Sequence, residues 1–144
     1  MKFSSKELYG LRAMVELARR YPEGPISLAE IAKAQGLSLP YLEQIAAVLR
    51  RAGLLKSIRG AYGGYILARA PDTITAGDVI RALEGKLIVL PCQPEKVCML
   101  LSEQTCVCQR GPVCPTKDVW QQVHAQLART LDRITLADLA ASGR

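Results

Sequence analysis

Two short amphipathic helices joined by a tight turn are predicted between residues 27 and 52, and few folds accommodate such a pair. Ser27-Leu-Ala-Glu30 is a capping box, in which the serine hydroxyl and the glutamate carboxylate satisfy free N–H groups at a helix start. Gly36 supplies the turn residue, and Ser38 caps the second helix, which extends to about Ala52. This arrangement predicts a helix-turn-helix motif. The apolar positions of the second helix have helical spacing: Leu42, Ile45, Ala46 and Leu49.

The remaining residues of the second helix face outward once this apolar stripe is assigned. Ser38, Tyr41 and Gln44 lie near the N-terminal end, which helices of this kind direct at base edges. Gln pairs with adenine in the major groove, and Glu accepts from cytosine N4. We therefore expect a DNA-reading face; a solvated polar surface is the alternative. The outward residues of the helix are Tyr41, Glu43, Gln44, Ala47, Arg50 and Arg51.

A glycine-rich hairpin is predicted directly after the second helix. Leu54-Leu-Lys-Ser-Ile58 and Gly64-Tyr-Ile-Leu67 flank a tip that contains Arg59. A hairpin in this position predicts a winged helix, in which Arg59 reaches a phosphate or a narrow minor groove. A purely structural hairpin is the alternative, and the order of elements disfavours it. Glycines of the tip permit close backbone approach to a ligand: Gly60, Gly63 and Gly64.

Three further helices have recognisable start signals. The first begins near Ser4 or Ser5, another opens at Thr75–Asp78 and runs through Leu83, and Thr135–Asp138 caps a short terminal helix. We therefore expect a mainly α chain with a small β-hairpin wing. The first helix carries apolar residues at helical spacing: Leu8, Leu11, Met14, Val15 and Ala18.

The helix predicted from Thr116 to about Arg133 carries a narrow apolar stripe whose spacing resembles a helix–helix seam. Packing against the same chain would also produce such a stripe. We favour a homodimer interface, because a DNA reader with one short recognition helix usually pairs two half-sites ~34 Å apart. The stripe consists of Trp120, Val123, Leu127, Leu131 and Ile134.

Charge and hydropathy narrow the class of protein further. The net charge is +6, of which residues 1–60 contribute +5 and residues 61–144 contribute +1. An excess of cations in the first part suits DNA, although ordinary surface charge is an equal alternative. We expect a cytoplasmic protein that does not enter membranes, since no signal peptide and no apolar run of the required ~20 residues is present. We do not expect an enzyme, because no catalytic constellation is evident.

All five cysteines fall between residues 92 and 114: Cys92, Cys98, Cys106, Cys108 and Cys114. Disulfides rarely persist in a reducing cytoplasm, so the cluster indicates a metal site or redox chemistry. Structural zinc sites usually contain C-x₂₋₄-C pairs, which are missing here, but zinc remains an alternative. A metal-free thiol switch, formed by Cys106 and Cys108 or by a more distant pair, is another.

With these elements placed, the whole chain resembles the Rrf-two family of bacterial winged-helix regulators. That resemblance implies a dimeric winged helix, a long crossing helix, and an iron–sulfur cluster in the loop before that helix. The matching pieces occur in the family's order from end to end: Leu28-Ala-Glu-Ile-Ala32, Ser38 to Ile45, Gly53-Leu-Leu, Arg59-Gly60 with Gly63-Gly-Tyr65, Asp78 to Gly85, Cys108-x5-Cys114 with Trp120, and Ile134 to Leu139.

The resemblance also implies roles for individual residues. The residues that it places at or near the major groove are Ser38, Tyr41, Glu43 and Gln44. The residues that it places at the wing contact with DNA are Arg59 and, through their backbone, Gly60, Gly63 and Gly64. The cluster ligands that it implies are Cys92, Cys108 and Cys114.

The cysteine segment departs from the family pattern in two respects. Cys92 and Cys108 are separated by an insertion, and Lys117 stands where some members place a ligating histidine. We expect a fourth thiolate from Cys98 or Cys106, since four cysteines suit a [2Fe–2S] cluster, which is favoured, or a [4Fe–4S] cluster. An acidic residue of the partner's first helix, near Glu7, is the other candidate.

The expected organisation has three regions. Residues 1–85 form a winged helix-turn-helix DNA-binding domain, residues 86–115 a cysteine-rich cluster loop, and residues 116–144 a dimerisation helix and a C-terminal helix. The expected function is a transcriptional regulator whose binding to a double-stranded operator is controlled by the cluster. The alternatives are a thiol-switch regulator without metal or with zinc, an electron-transfer iron–sulfur protein on the same scaffold, and a protein–protein adaptor.

Overall fold

A computed structural model describes residues 4–84 and 115–143 of the chain. It confirms the predicted winged helix-turn-helix with a two-stranded hairpin and a long helix near the C-terminus. In chain order the elements are α1 (Ser5–Arg19), α2 (Leu28–Gln35), α3 (Leu39–Arg51), β1 (Leu55–Ile58), β2 (Gly64–Leu67), a 3₁₀ turn (Pro71–Thr73), α4 (Ala76–Glu84), α5 (Lys117–Arg133) and α6 (Leu136–Ser142).

The helix-turn-helix pair has the geometry that its sequence predicts. Gly36 ends α2 in the left-handed region, with φ of 66°, and so turns the chain into α3. Each apolar position predicted for α3 is buried. At the start of α2 the Glu30 N–H donates to Ser27 Oγ at 3.2 Å, as expected. The Glu30 carboxylate instead accepts from Arg20, so the second half of that predicted capping box is wrong.

The buried face of α1 differs from the predicted apolar stripe. Met14 is fully buried, but Leu8, the first residue of the stripe, is 55% exposed. The core side instead includes Gly10, which lies against α3 and α4. A Cβ at this position would lie 2.4 Å from Leu83 Cδ1 and 3.3 Å from Ile45 Cγ2. The missing side chain therefore allows three helices to meet closely at one point.

The predicted hairpin is confirmed, and its strands pair with Leu55 opposite Leu67 and Ile58 opposite Gly64. A second connection attaches it to the segment before α2. The Ile26 N–H donates to the Tyr65 carbonyl at 3.0 Å, and the Tyr65 N–H donates to the Ile26 carbonyl at 2.8 Å. The wing is therefore joined to the helix-turn-helix by backbone hydrogen bonds as well as by the chain.

The segments that precede α4 and α6 pair with each other. The Ala76 N–H donates to the Ile134 carbonyl at 2.8 Å, and the Leu136 N–H donates to the Ile74 carbonyl at 2.9 Å. Ile74 and Leu136 are both fully buried beside these bonds. Both predicted capping boxes are confirmed here, as Thr75 and Asp78 exchange hydrogen bonds, and so do Thr135 and Asp138. The C-terminal helices are thus fixed to the first part of the chain.

Helix α5 contains no buried side chain among those that the structure describes in it. Its contact with α4 includes an ion pair in which Arg81 donates to Asp132 at 2.6 Å. The predicted stripe is only half-buried by this chain: Trp120, Val123, Leu127 and Leu131. In the described ranges, no helix is long and apolar enough to cross a membrane.

Leu136→Ala tests how strongly the α4–α6 junction supports the fold. A fully buried leucine replaced by alanine loses its burial and leaves a cavity, at a cost of about 2–5 kcal/mol. We expect a loss of that size in the free energy of unfolding, measured by urea titration. Leu139→Ala on the same helix is the matched control, because Leu139 is half-buried. Equal losses in the two variants would contradict the importance of the junction.

The pKa of Asp78 determines how this residue contributes to the free energy of unfolding at different pH values. Burial raises its pKa, but hydrogen bonds from the N–H and hydroxyl of Thr75 and from Arg81 outweigh burial, and the pKa lies below the usual carboxyl value. A depressed folded-state pKa stabilises the fold above the unfolded-state pKa of ~3.9, and this stabilisation is lost as pH falls through the folded-state pKa.

Asp78→Asn should therefore destabilise the protein at pH 7 and show a smaller difference from wild type at pH 3. Urea midpoints at the two pH values measure this. Asp72→Asn, at an exposed position nearby, serves as the control. A difference of the same size at both pH values would show that the charge of Asp78 does not contribute.

Candidate nucleic-acid interface and cysteine segment

One exposed end of α3 carries most of the polar residues predicted to meet DNA. Ser38, Glu43 and Gln44 are exposed, and Tyr41 is half-buried. Ser38 occupies the N-cap position, but its side chain makes no capping hydrogen bond, so the predicted capping role is wrong. Its exposed hydroxyl is therefore available to an external acceptor such as a phosphate oxygen.

Tyr41 is held in place by an aromatic contact with α1. Its ring meets the edge of the Tyr9 ring at a centroid distance of 6.2 Å and an interplanar angle of 86°. The Arg12 guanidinium lies over the Tyr9 ring, 5.8 Å from its centroid. Tyr9 and Arg12 were not predicted as neighbours of the site, because they are distant from Tyr41 in sequence and only the fold brings them together.

Arg50 lies at the opposite end of α3 from Ser38. At a rise of 1.5 Å per residue the two are separated by roughly 18 Å along the helix. Arg50 is exposed, and Arg51 beside it donates from Nε to the Ala47 carbonyl at 3.3 Å. The predicted DNA contact of Arg50 therefore lies at the far end of α3 from the residues predicted to read bases.

The wing carries Arg59 at its exposed end. Within residues 4–84 and 115–143 no carboxylate pairs with it. Gly60 beside it is also exposed, whereas Gly64 lies against the Ile26 carbonyl, 2.3 Å from where a Cβ would be. Gly64 thus has a packing role in attaching the wing, which the sequence did not reveal.

Tyr62 at the tip of the hairpin was also missed. Its side chain is 95% exposed, more than any other large hydrophobic side chain in the described ranges. An aromatic residue between the two strands of a predicted wing is the signal that could have identified it.

The predicted cluster ligands lie outside the described residues: Cys92, Cys98, Cys106, Cys108 and Cys114. In the part of the chain that is described, no three His, Cys, Asp or Glu side chains are grouped to hold a metal ion.

Glu7 fits poorly as the fourth ligand. Its side chain is 7% exposed, and its carboxylate accepts from the Ser4 N–H at 2.7 Å. Burial, opposed by that hydrogen bond and aided by the nearby Glu84 carboxylate, raises the pKa of Glu7. Leu8, the exposed residue that follows it, has no donor atom. The surroundings of Glu7 therefore do not favour the alternative in which its carboxylate is a ligand.

The helices on both sides of the cysteine segment are tied to other parts of the fold. Lys6 Nζ donates to the Leu83 carbonyl at 3.2 Å, and Ser4 Oγ donates to Glu84 at 2.6 Å. Arg81 joins α4 to α5 through Asp132, and this hydrogen bond raises the pKa of the arginine. The helices that precede and follow this segment in the chain are therefore held at defined positions by contacts with α1 and with each other.

This geometry agrees with a family model described as Rrf2, iron-dependent transcriptional regulator, which matches residues 3–142. The chain belongs to the Rrf2 family. It is a DNA-binding transcriptional regulator, and the family members it matches are regulators and not enzymes. The resemblance drawn from the sequence motifs is confirmed.

Similarity to individual members extends over nearly the whole chain. The HTH-type transcriptional regulator CymR of Bacillus subtilis (strain 168) is 48% identical over 141 residues, which are 97% of this chain and 90% of the relative. The HTH-type transcriptional regulator IscR of Erwinia tasmaniensis is 38% identical over 139 residues, 96% of this chain and 78% of the relative.

Solved structures give the same two kinds of relative. The structure of CymR, the global cysteine regulator of B. subtilis, superposes with a TM-score of 0.79 at 42% identity, covering 100% of this chain and 99% of that one. The structure of T. potens IscR has a TM-score of 0.75 at 46% identity, covering 100% and 89%. The chain is thus similar to both types of regulator.

Gln44→Ala and Arg50→Ala separate base reading from phosphate contact. We expect Gln44→Ala to relax base preference at one position and to cost about 1–3 kcal/mol of discrimination there. Arg50→Ala should weaken binding to all duplexes similarly and reduce the slope of log affinity against log salt by about one. Selection from a random-sequence duplex library, followed by binding titrations at several salt concentrations, measures both effects.

The control for this pair is Glu23→Ala, at an exposed position after α1 and away from α3. It should leave base preference and affinity unchanged. If Gln44→Ala kept the full base preference, the assignment of Gln44 to the major groove would be wrong.

Proposed function

We propose that this regulator is a homodimer whose affinity for a double-stranded operator is controlled by an iron–sulfur cluster in the cysteine segment. The observation that carries the proposal is the arrangement of the chain itself. The exposed polar end of α3 and the exposed Arg59 both belong to the winged helix, while every thiol lies in the sequence between α4 and α5. DNA contact and sensing are thereby assigned to separate parts of one fold.

The first contribution to DNA binding would be the electrostatic attraction between arginines and phosphates. Arg50 and Arg59 would neutralise phosphates and release counterions, which makes binding weaker as salt rises. The hydroxyl of Ser38 and the side chains of Glu43 and Gln44 would then face base edges in the major groove. Tyr41, held by Tyr9, would support this end of the helix. Gly60 would allow close approach of the wing backbone.

The half-buried stripe of α5 supports the homodimer. Trp120, Val123, Leu127 and Leu131 are covered only partly by their own chain, and Leu8 on α1 is 55% exposed. Apolar side chains in this state gain about 25 cal/mol for each Å² removed from water. A second copy of α5 crossing the first would cover them and would set the spacing between two α3 helices.

The cluster would be held by Cys92, Cys108 and Cys114, with Cys98 or Cys106 as the fourth ligand. When bound, it would supply a redox-sensitive and iron-dependent state. The protein's own contribution is to fix the ends of the cysteine segment through Lys6, Arg81 and Asp132. Only a difference in DNA affinity between loaded and apo protein can make this arrangement regulatory.

A second candidate is a regulator that senses through its thiols without iron. It is favoured by the 48% identity to B. subtilis CymR, whose structure is described as that of the global cysteine regulator. In this case an oxidised pair such as Cys106 and Cys108 would replace the cluster as the switching element. Zinc bound by the same thiolates is a variant of this candidate.

Metal analysis of protein purified without oxygen decides between these candidates. We expect iron with matching sulfide, close to two of each per chain for the favoured [2Fe–2S] cluster, and visible absorption that disappears on exposure to a chelator and oxidant. Single Cys→Ser variants should show loss of iron at four positions and retention at one. The retained position should be residue 98 or 106.

The regulatory part of the proposal needs DNA titrations with loaded and apo protein. We expect their affinities for the preferred duplex to differ at least tenfold. Zinc alone, or no metal, would favour the thiol-based candidate and leave DNA binding intact. Equal affinities of the loaded and apo forms would refute control by the cluster even if iron is present.

A further inference from the structure

Tyr62 presents a large apolar surface that this chain leaves uncovered. It is 95% exposed, whereas the next most exposed large hydrophobic side chain of the described ranges, Leu8, is 55% exposed. Tyrosine is a residue that usually buries 150–250 Å² when it has a partner. The proposed dimer face on α5 does not account for Tyr62, because this residue lies on the wing.

The turn that carries Tyr62 is closed and tightly packed. The Gly63 N–H donates to the Gly60 carbonyl at 3.0 Å, so Ala61 and Tyr62 are the central residues of a tight turn. Gly60 has φ of 122°, which L side chains rarely adopt. A Cβ on Gly63 would lie 2.1 Å from the Ile58 carbonyl oxygen. The backbone geometry therefore presents Tyr62 from a short, defined turn.

The charges near Tyr62 favour a nucleic acid as its partner. Residues 55–67 contain Lys56 and Arg59 and no acidic residue. Both cations are exposed, and no ion pair within the described ranges involves either. Four arginines elsewhere in those ranges do have carboxylate partners: Arg19, Arg20, Arg69 and Arg81. An exposed aromatic ring on a hairpin whose only charged residues are cations matches a polyanion with apolar sugar faces better than it matches a protein surface.

We propose that the Tyr62 ring packs against the deoxyribose edge of the minor groove when the wing meets the duplex. Arg59 supplies the ionic contact beside it, and Tyr62 supplies a contact that involves no charge. The inference rests on the DNA-binding face of the proposed function and is independent of the cluster. It adds a wing residue whose contribution differs in kind from that of Arg59.

Salt dependence separates the two contributions. The probe is the duplex that wild-type protein selects from a random-sequence library. Tyr62→Ala should weaken binding roughly tenfold, within the range for aromatic contacts with nucleic acids, and leave the salt slope unchanged. Arg59→Ala should weaken binding and reduce the slope by about one. Tyr62→Phe is the matched control, and it should keep wild-type affinity because the ring remains.

Thermal unfolding of Tyr62→Ala should match wild type, because the side chain is exposed and its loss leaves no cavity. If this variant kept full affinity while Arg59→Ala lost it, the Tyr62 contact would be refuted and the wing assignment would stand. A reduced salt slope in Tyr62→Ala would also overturn the proposal, since it would show that the substitution displaces the ionic contacts. If wild-type protein selected no duplex, DNA binding and this inference would both fail.

Discussion

Two backbone hydrogen bonds between the segments before α4 and α6 hold the two parts of this fold together. They join Ala76 to Ile134 and Leu136 to Ile74, and each bond lies beside a fully buried aliphatic side chain. Backbone groups buried without partners are costly, so these segments cannot separate without losing both the bonds and the packing. This junction, together with the ion pair of Arg81 with Asp132, fixes α5 and α6 relative to α4.

Some arginines of the described ranges form ion pairs with carboxylates, and others do not. Arginines that support the fold pair with carboxylates, as Arg20 does with Glu30 and Arg81 with Asp132. In the described ranges, Arg50 and Arg59 have no such partner, and both lie on α3 or the wing. The net charge of the sequence indicates a cationic protein, but only the structure shows which cations are free to meet a polyanion.

Elements with local signals could be predicted closely, whereas contacts between distant segments could not. The α3 stripe and the Thr75 and Thr135 caps follow from periodicity and short-range hydrogen bonding. Leu8 fits the apolar spacing of α1 but is exposed, because periodicity alone does not show which side of the helix has neighbours. Ser38 has the right residue type for a cap, yet its hydroxyl makes no capping bond.

The DNA-facing residues were accessible to sequence reasoning to different degrees. Exposed polar positions on α3 follow once the apolar stripe is known. The contact of Tyr9 with Tyr41, and the packing of Gly64 against Ile26, depend on segments that meet only after folding. Tyr62 was not predicted for a different reason. Residues at the tip of a hairpin have few neighbours, so the sequence does not show that this aromatic side chain is left almost fully exposed.

Gly10 lets α4 come close to α3, the helix that carries the residues predicted to read DNA. Leu83 of α4 and Ile45 of α3 both lie against this one residue. In the sequence, the segment with every thiol begins two residues after Leu83. The end of α4 that leads into this segment therefore shares a neighbour with α3, so a larger residue at position 10 would disturb both helices at once.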